Sequence, residues 1–305
     1  TKFYQKQSGV TMKLKFSFLL VLTLLIVNSS LLITHATVRF VSKSGTSTPP
    51  DTSWETAADS IQKCINFSVD GDTIIVANGV YHESLVVNKY LWLIGSSMDS
   101  TVIDGTGLAN FTVDFQSDGG IQYFSVRGKG IGIPNSVCIW ANLSNVIVLQ
   151  TKINNADFGI SLIVSSSLIK ECFINNVKEG YGTYCAGFDT CNSSIQNSII
   201  ITNNVLDAYG IRIEGGGNNS YNNIVLIKNG NSNVRKGIGV EFDAKENIIK
   251  NNVVSGFRRN IDGLSSDTAI VHNNISENGI ERGITINALT GMRNNIIAKN
   301  EIGLV

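Results

Sequence analysis

A polar pair followed by a short apolar run recurs through the second half of the chain, and this repeat constrains the fold more than any single motif. The pairs are Gln150-Thr151, Lys170-Glu171, Gln196-Asn197, Asn222-Asn223, Asn251-Asn252, Asn273-Asn274 and Asn294-Asn295, spaced 20 to 29 residues apart. A second signal runs in phase with them: Gly159-Ile160-Ser161-Leu162, Gly210-Ile211-Arg212-Ile213, Gly237-Ile238-Gly239-Val240 and Gly283-Ile284-Thr285-Ile286. Repeats of this length, made of β-branched strands bounded by Asn and Gly, describe a solenoid whose coils stack as parallel sheets. A leucine-rich repeat would need regular Leu and a helix in each unit, and a propeller blade would need about 40 residues. Neither pattern is present.

Stacking dictates side-chain roles. Coils about 4.8 Å apart set like residues above like, so Ile211 and Ile213 are expected inside and stacked Asn amides are expected to hydrogen-bond from coil to coil. Asn and Gly also tolerate the left-handed backbone that tight corners demand. The expected fold class is all-β, a right-handed parallel β-helix with a short N-terminal capping helix. That helix is predicted over residues 54–66, with Ser53 as N-cap and Ala57, Ile61, Cys64 and Ile65 on its buried face. A cap is expected because an open coil exposes unpaired strand edges. Gly303-Leu304-Val305 begins another strand with nothing to close the stack, so further coils of the same full-length chain are expected as its partners.

Residues 1–36 read as upstream residues plus a signal peptide: Met12, then Lys13 and Lys15, an apolar run over 16–27, and a small-residue end at Thr34-His35-Ala36. The run is shorter than the roughly 20 residues that span a bilayer. The expected domain is therefore 37–305, exported to a secreted, periplasmic or cell-surface location with no membrane span of its own. Without the four Lys of residues 1–36 it carries 20 basic and 24 acidic residues, a net charge of −4, which argues against a nucleic-acid partner. Five cysteines (Cys64, Cys138, Cys172, Cys185 and Cys191) show no CxxC spacing. Buried thiols are the expectation, with Cys185 and Cys191 the one locally spaced pair.

The segment ahead of the repeats carries Gly71-Asp72-Thr73-Ile74-Ile75-Val76, Gly79-Val80-Tyr81-His82-Glu83, Leu91-Trp92-Leu93-Ile94-Gly95 and Thr101-Val102-Ile103-Asp104-Gly105. This run resembles the opening coils of right-handed β-helix proteins of the pectate-lyase-like superfamily, which includes pectin methylesterases and NosD-type proteins. The resemblance implies a fold and leaves the reaction open. The methylesterase catalytic strand has no counterpart, since Val113-Asp114-Phe115-Gln116 shares only two of its residues, and the polygalacturonase strings are absent too. A NosD-like copper site would need more soft or imidazole ligands than His82, His272, Met98 and Met292 supply. Tyr81, His82 and Glu83 are expected to order a corner and not to perform chemistry.

Aligning the Gly-Ile strands sets Arg212 and Glu214 outward, with Gly239 and Glu241 in the same places one coil on and Asp243 just beyond. Asp262, then Thr285 and Asn287, follow on that face. Glu214, Glu241 and Asp262 are candidate ligands for calcium, which takes six to eight oxygens. Arg212, Glu214 and Glu241 are the catalytic candidates, because two carboxylates about 5 Å apart suit a retaining glycosidase. Calcium beside an arginine would instead look like the pectate-lyase arrangement. Asp243, Asp262 and Asn287 are candidate substrate contacts, and Tyr209, Tyr221 and Phe257 fall near turns where rings could stack on sugars. The competing reading is a solvated polar face. The functional expectation is a secreted or cell-surface protein that binds extracellular polysaccharide and, if an enzyme, cleaves it as a lyase or glycoside hydrolase. The alternative is a non-catalytic structural or adhesive module of a larger surface protein.

Overall fold

Short strands separated by left-handed corners can satisfy their backbone groups only against the coils above and below, and the structure does this throughout. The computed structural model describes residues 36–184, 191–203, 208–228, 236–241, 246–263, 269–286 and 291–304, with the backbone alone at Tyr184, Glu241, Ala269 and Ile286. The chain divides into two units, Thr1–Ala36 and Thr37–Val305. Among the described residues there are 29 strands and one helix, all in the second unit. The strands form an 11-stranded and an 18-stranded sheet. Pairing is parallel, as where Tyr209–Glu214 lies on Lys236–Glu241 and Asn219–Tyr221 lies on Asn247–Lys250. The protein is an all-β parallel β-solenoid.

The larger sheet contains two ladders joined by bends. Strands Lys152–Ile163 and Phe173–Tyr184 run through both, and each turns at an Asn with positive φ, Asn155 (62°) and Asn176 (52°). The interior is a stack of largely aliphatic columns. Ile139, Ile160, Tyr181, Ile211, Ile238, Ile261 and Ile284 sit one above another, none more than 1 % exposed. Each Ile contributes about 1.5–3 kcal/mol of burial.

The polar pairs resolve into two distinct ladders. The corner positions Asn197, Asn222, Asn251, Asn273 and Asn294 all have positive φ, between 50° and 58°. Their exposed amides link coil to coil, Asn222 donating to Asn197 at 3.0 Å, Asn251 to Asn222 at 3.0 Å and Asn273 to Asn251 at 3.2 Å. The next residue in each coil points inward. Asn223, Asn252 and Asn274, all buried, and the half-buried Asn295 form a ladder with 3.1 Å amide–amide bonds, and each Oδ1 also accepts the backbone N–H of the coil before it. In the earlier coils the corners are Gln150 and Glu171, followed by Thr151 and Cys172. The expected pairs Lys170-Glu171 and Gln196-Asn197 are therefore one residue out of phase: the true pairs are Glu171-Cys172 and Asn197-Ser198. A buried small or thiol side chain replaces the second polar amide there, which disguises the register.

The helix is shorter than predicted. It spans Ile61–Phe67 with Ser60 as N-cap, while Ser53 closes a turn with Thr56. Ile61, Cys64 and Ile65 are buried against the first strands, as expected, and so is Ala57. Its start is completed from another coil, because the Glu83 carboxylate accepts from Ile61 N, Gln62 N and Ser60 Oγ at 3.1, 2.9 and 2.8 Å. A carboxylate there satisfies free amides and complements the helix dipole. That is the work of the Gly79-to-Glu83 motif, whose Tyr81 is buried and donates to Ala77 O. Cys64, Cys138 and Cys172 are free and buried, as expected. Cys191 is disulfide-bonded, and Cys185 lies outside the described residues. No described helix is long and apolar enough to cross a membrane.

Candidate functional site

One outer face of the larger sheet gathers most of the solvent-facing chemistry. Its first row stacks Phe111, Val137, Phe158, Glu179, Tyr209, Lys236, Arg259 and Arg282. Three residues further along the same strands, a second row stacks Asp114, Trp140, Ser161, Gly182, Arg212, Gly239, Asp262 and Thr285. Glu214 and Glu241 are register partners in the third row. The position between the first row and the inward Ile column is mostly Gly, because the strand bends toward the core there. A Cβ on Gly210 would lie 2.2 Å from Val225 Cγ1 and 2.6 Å from Gly237 O.

The early coils of this face make an aromatic cleft. Phe111 and Trp140 stack with centroids 4.7 Å apart and planes within 3°. With Phe158, Ser161 and Ile163 they line a cleft of about 380 Å³ that reaches Arg212. Gly182 lies between Ser161 and Arg212 in the row, so no side chain of that row separates the arginine from the aromatic end.

Arg212 is held from several sides. Its guanidinium pairs with Glu214, approaches Glu179 at 3.8 Å and lies 5.1 Å from the Tyr209 ring centroid. Glu179 is 4 % exposed, Glu214 21 % and Arg212 27 %. A guanidinium between two carboxylates stays protonated. This arrangement suits holding a ligand oxygen better than taking up or delivering a proton.

The later coils change character. Asp262 shares a row with Arg212, as the alignment predicted, but it is fully buried and not solvated. Lys236 Nζ lies 3.0 Å and Arg259 Nη1 3.2 Å from its Oδ2. The long cationic side chains of the first row fold over it, a packing that strand periodicity does not show. Gly239 leaves space for this: a Cβ there would sit 2.8 Å from Lys236 Cδ and 3.0 Å from the Tyr209 ring. Tyr209 and Phe257 are buried, so neither offers a free ring face.

The calcium and catalytic sets are brought together only in part. Glu214 and Glu241 occupy adjacent coils, but of Glu241 only the backbone is described, and Asp243 and Asn287 lie outside the described residues. The described carboxylates Glu214 and Asp262 each face cations already, a poor fit to a divalent ion. Among the described residues, no group of three or more His, Cys, Asp or Glu side chains could hold a metal.

Phe111, Trp140, Phe158 and Glu179 were not among the sequence candidates. A signal existed: Phe158, Tyr209, Lys236 and Arg282 each stand immediately before a Gly-Ile pair, so the residue ahead of the repeat marks the outward row.

No family profile matches the chain, and no curated protein matches it. Solved structures do. A pectin methylesterase from carrot aligns at 10% identity and TM-score 0.54, covering 79% of this chain and 83% of its own. The A-module of a mannuronan C-5 epimerase from Azotobacter vinelandii aligns at 12% identity and TM-score 0.51 over 80% and 92%. The Dettilon tailspike protein aligns at 14% identity and TM-score 0.50 over 80% and 57%. Identities this low carry the fold alone, and the chain shares the parallel β-helix fold of these proteins.

Proposed function

We propose that this chain binds an extracellular polysaccharide along the face that runs from Phe111 to Arg212. The observation that carries the reading is the cleft itself. Stacked Phe111 and Trp140 rings, with Phe158 beside them, offer flat apolar faces to sugar C–H groups, and Arg212 offers directed N–H donors at the far end. Aromatic rings supply large contact area at little entropic cost. The β-helix neighbours named for pectin and mannuronan lend support by analogy of fold. Export directed by residues 1–36 belongs to the same reading, as does closure of the N-terminal end of the stack by the helix Ile61–Phe67.

The test is calorimetric titration of the chain against a panel of neutral and acidic polysaccharides. A binding polymer should be found, and Trp140→Ala or Phe158→Ala should weaken it at least about tenfold, the 1.4 kcal/mol expected for one lost ring contact. If no polymer binds, or if both variants bind as the parent does, the reading fails and the structural or adhesive alternative replaces it.

A further inference from the structure

Beyond the aromatic cleft, the same face ends in a concentration of positive charge that the polysaccharide reading does not use. Lys236, Arg259 and Arg282 are direct register partners in three consecutive coils. Like charges stacked this way are unfavourable without counter-charge. Arg258 adds a further cation at the corner before Arg259. The acids paired with these cations are Asp262 and Glu281, and Asp262 is buried beneath Lys236 and Arg259.

Glu281 is the informative residue. Its backbone N–H and that of Arg282 both donate to Arg258 O, at 2.9 and 3.0 Å, which pins the corner against the preceding coil. Three guanidinium groups converge on its carboxylate. Arg258 Nε donates to Oε2 at 2.5 Å, and Arg259 Nη2 donates to Oε1 at 3.3 Å. Arg282 Nε stands 3.6 Å from Oε1, and this buried donor has no hydrogen-bond partner. As placed, the carboxylate bonds two of the three guanidinium groups and leaves Arg282 Nε without an acceptor. The group remains open to solvent: the side chains of Arg258, Arg259, Arg282 and Glu281 are 54, 25, 27 and 24 % exposed.

We propose that Arg258, Arg259 and Arg282 form an oxyanion-binding cradle, occupied from within the chain by Glu281, and that a sulfate or phosphate group displaces that carboxylate. A tetrahedral oxyanion offers three or four acceptor oxygens where a carboxylate offers two, so it meets the third arginine that Glu281 leaves unserved. Glu281 acts as a built-in competitor that keeps affinity low. The carboxyl of Glu281 sits below its ordinary range: burial opposes this, but the Arg258 hydrogen bond and the charges of Arg259 and Arg258 outweigh it. The competitor is therefore charged at neutral pH.

The experiment is calorimetric titration of the full chain, Glu281→Gln and Arg282→Ala with sodium sulfate, sodium phosphate and sodium acetate, at ionic strength held constant with chloride. Glu281→Gln should bind sulfate or phosphate at least tenfold more tightly than the parent, and should prefer either to acetate. Arg282→Ala should lose the preference. Unchanged sulfate affinity in Glu281→Gln, or acetate bound as well as sulfate, would overturn the proposal. Should that variant not fold, the parent decides: sulfate at matched ionic strength must raise its thermal midpoint over chloride, and Arg258→Ala, altering an exposed side chain, must remove the rise. No rise overturns the idea. A sulfated or phosphorylated oligosaccharide that outcompetes the inorganic ion would assign the group to a polymer, and equal competition would assign it to the free ion.

Discussion

Adjacent asparagines of one coil should differ sharply when truncated. Asn252→Ala removes an Oδ1 that accepts from Asn223 N, Asn223 Nδ2 and Ser220 Oγ, and an Nδ2 that donates to Ser220 O and Asn274 Oδ1. After truncation Asn223 Nδ2 keeps Ile195 O, and Asn274 Oδ1 keeps the Asn252 backbone N–H. The Asn223 amide and the Ser220 carbonyl lose these partners inside a fully buried column. Each such loss costs about 1–3 kcal/mol, so the sum is about 4 kcal/mol. Asn251→Ala cuts amide bonds of similar length, but on the surface, where water replaces them. Its cost is chiefly that of Ala at φ 58°, about 1 kcal/mol. Urea unfolding of both variants, with hydrogen exchange at the Asn223 amide as a local probe, measures the contrast. If Asn251→Ala destabilises as much as Asn252→Ala, or Asn223 keeps its protection in Asn252→Ala, burial is not what gives the inner ladder its value.

Other consequences are as specific. Gly210→Ala sets a Cβ 2.2 Å from Val225 Cγ1 and should cost about 1–3 kcal/mol in denaturant unfolding, with partial rescue by Val225→Ala; an additive double variant would contradict the clash. Burial favours the protonated form of Asp72, but bonds from Val69 N, Arg39 and Thr37 N outweigh it, and its folded pKa lies below the ordinary 3.8. The unfolded chain therefore binds that proton first on acidification. The stabilisation is complete above about pH 4 and is lost as pH falls through the lower, folded value. Asp72→Asn should flatten the acid limb of stability below pH 4, and an unchanged limb would count against the assignment. Burial pushes the Cys138 and Cys172 thiols up to about 12, so iodoacetamide at pH 8 should label them only after unfolding. Rapid native labelling would show that the core is open there.

Periodicity alone determined that the chain is a parallel solenoid, that Ile211 and Ile213 point inward, and that Asn amides stack from coil to coil. Each depends on local chemistry repeated at a fixed interval, and stacking turns a repeat in sequence into a column in space. The row shared by Arg212, Gly239, Asp262 and Thr285 was legible for the same reason. Tertiary structure decided which pair members face the core, since Cys172 and Ser198 fill a buried position that later belongs to Asn. It also decided that Asp262 is buried, because Lys236 and Arg259 fold back over it, a choice of rotamer and neighbour that no strand pattern encodes. The aromatic cleft and the arginine cradle belong with these. Phe111, Trp140 and Phe158 lie on three different coils, and Arg258, Arg259, Glu281 and Arg282 on two, so each cluster exists only once the coils are stacked in register.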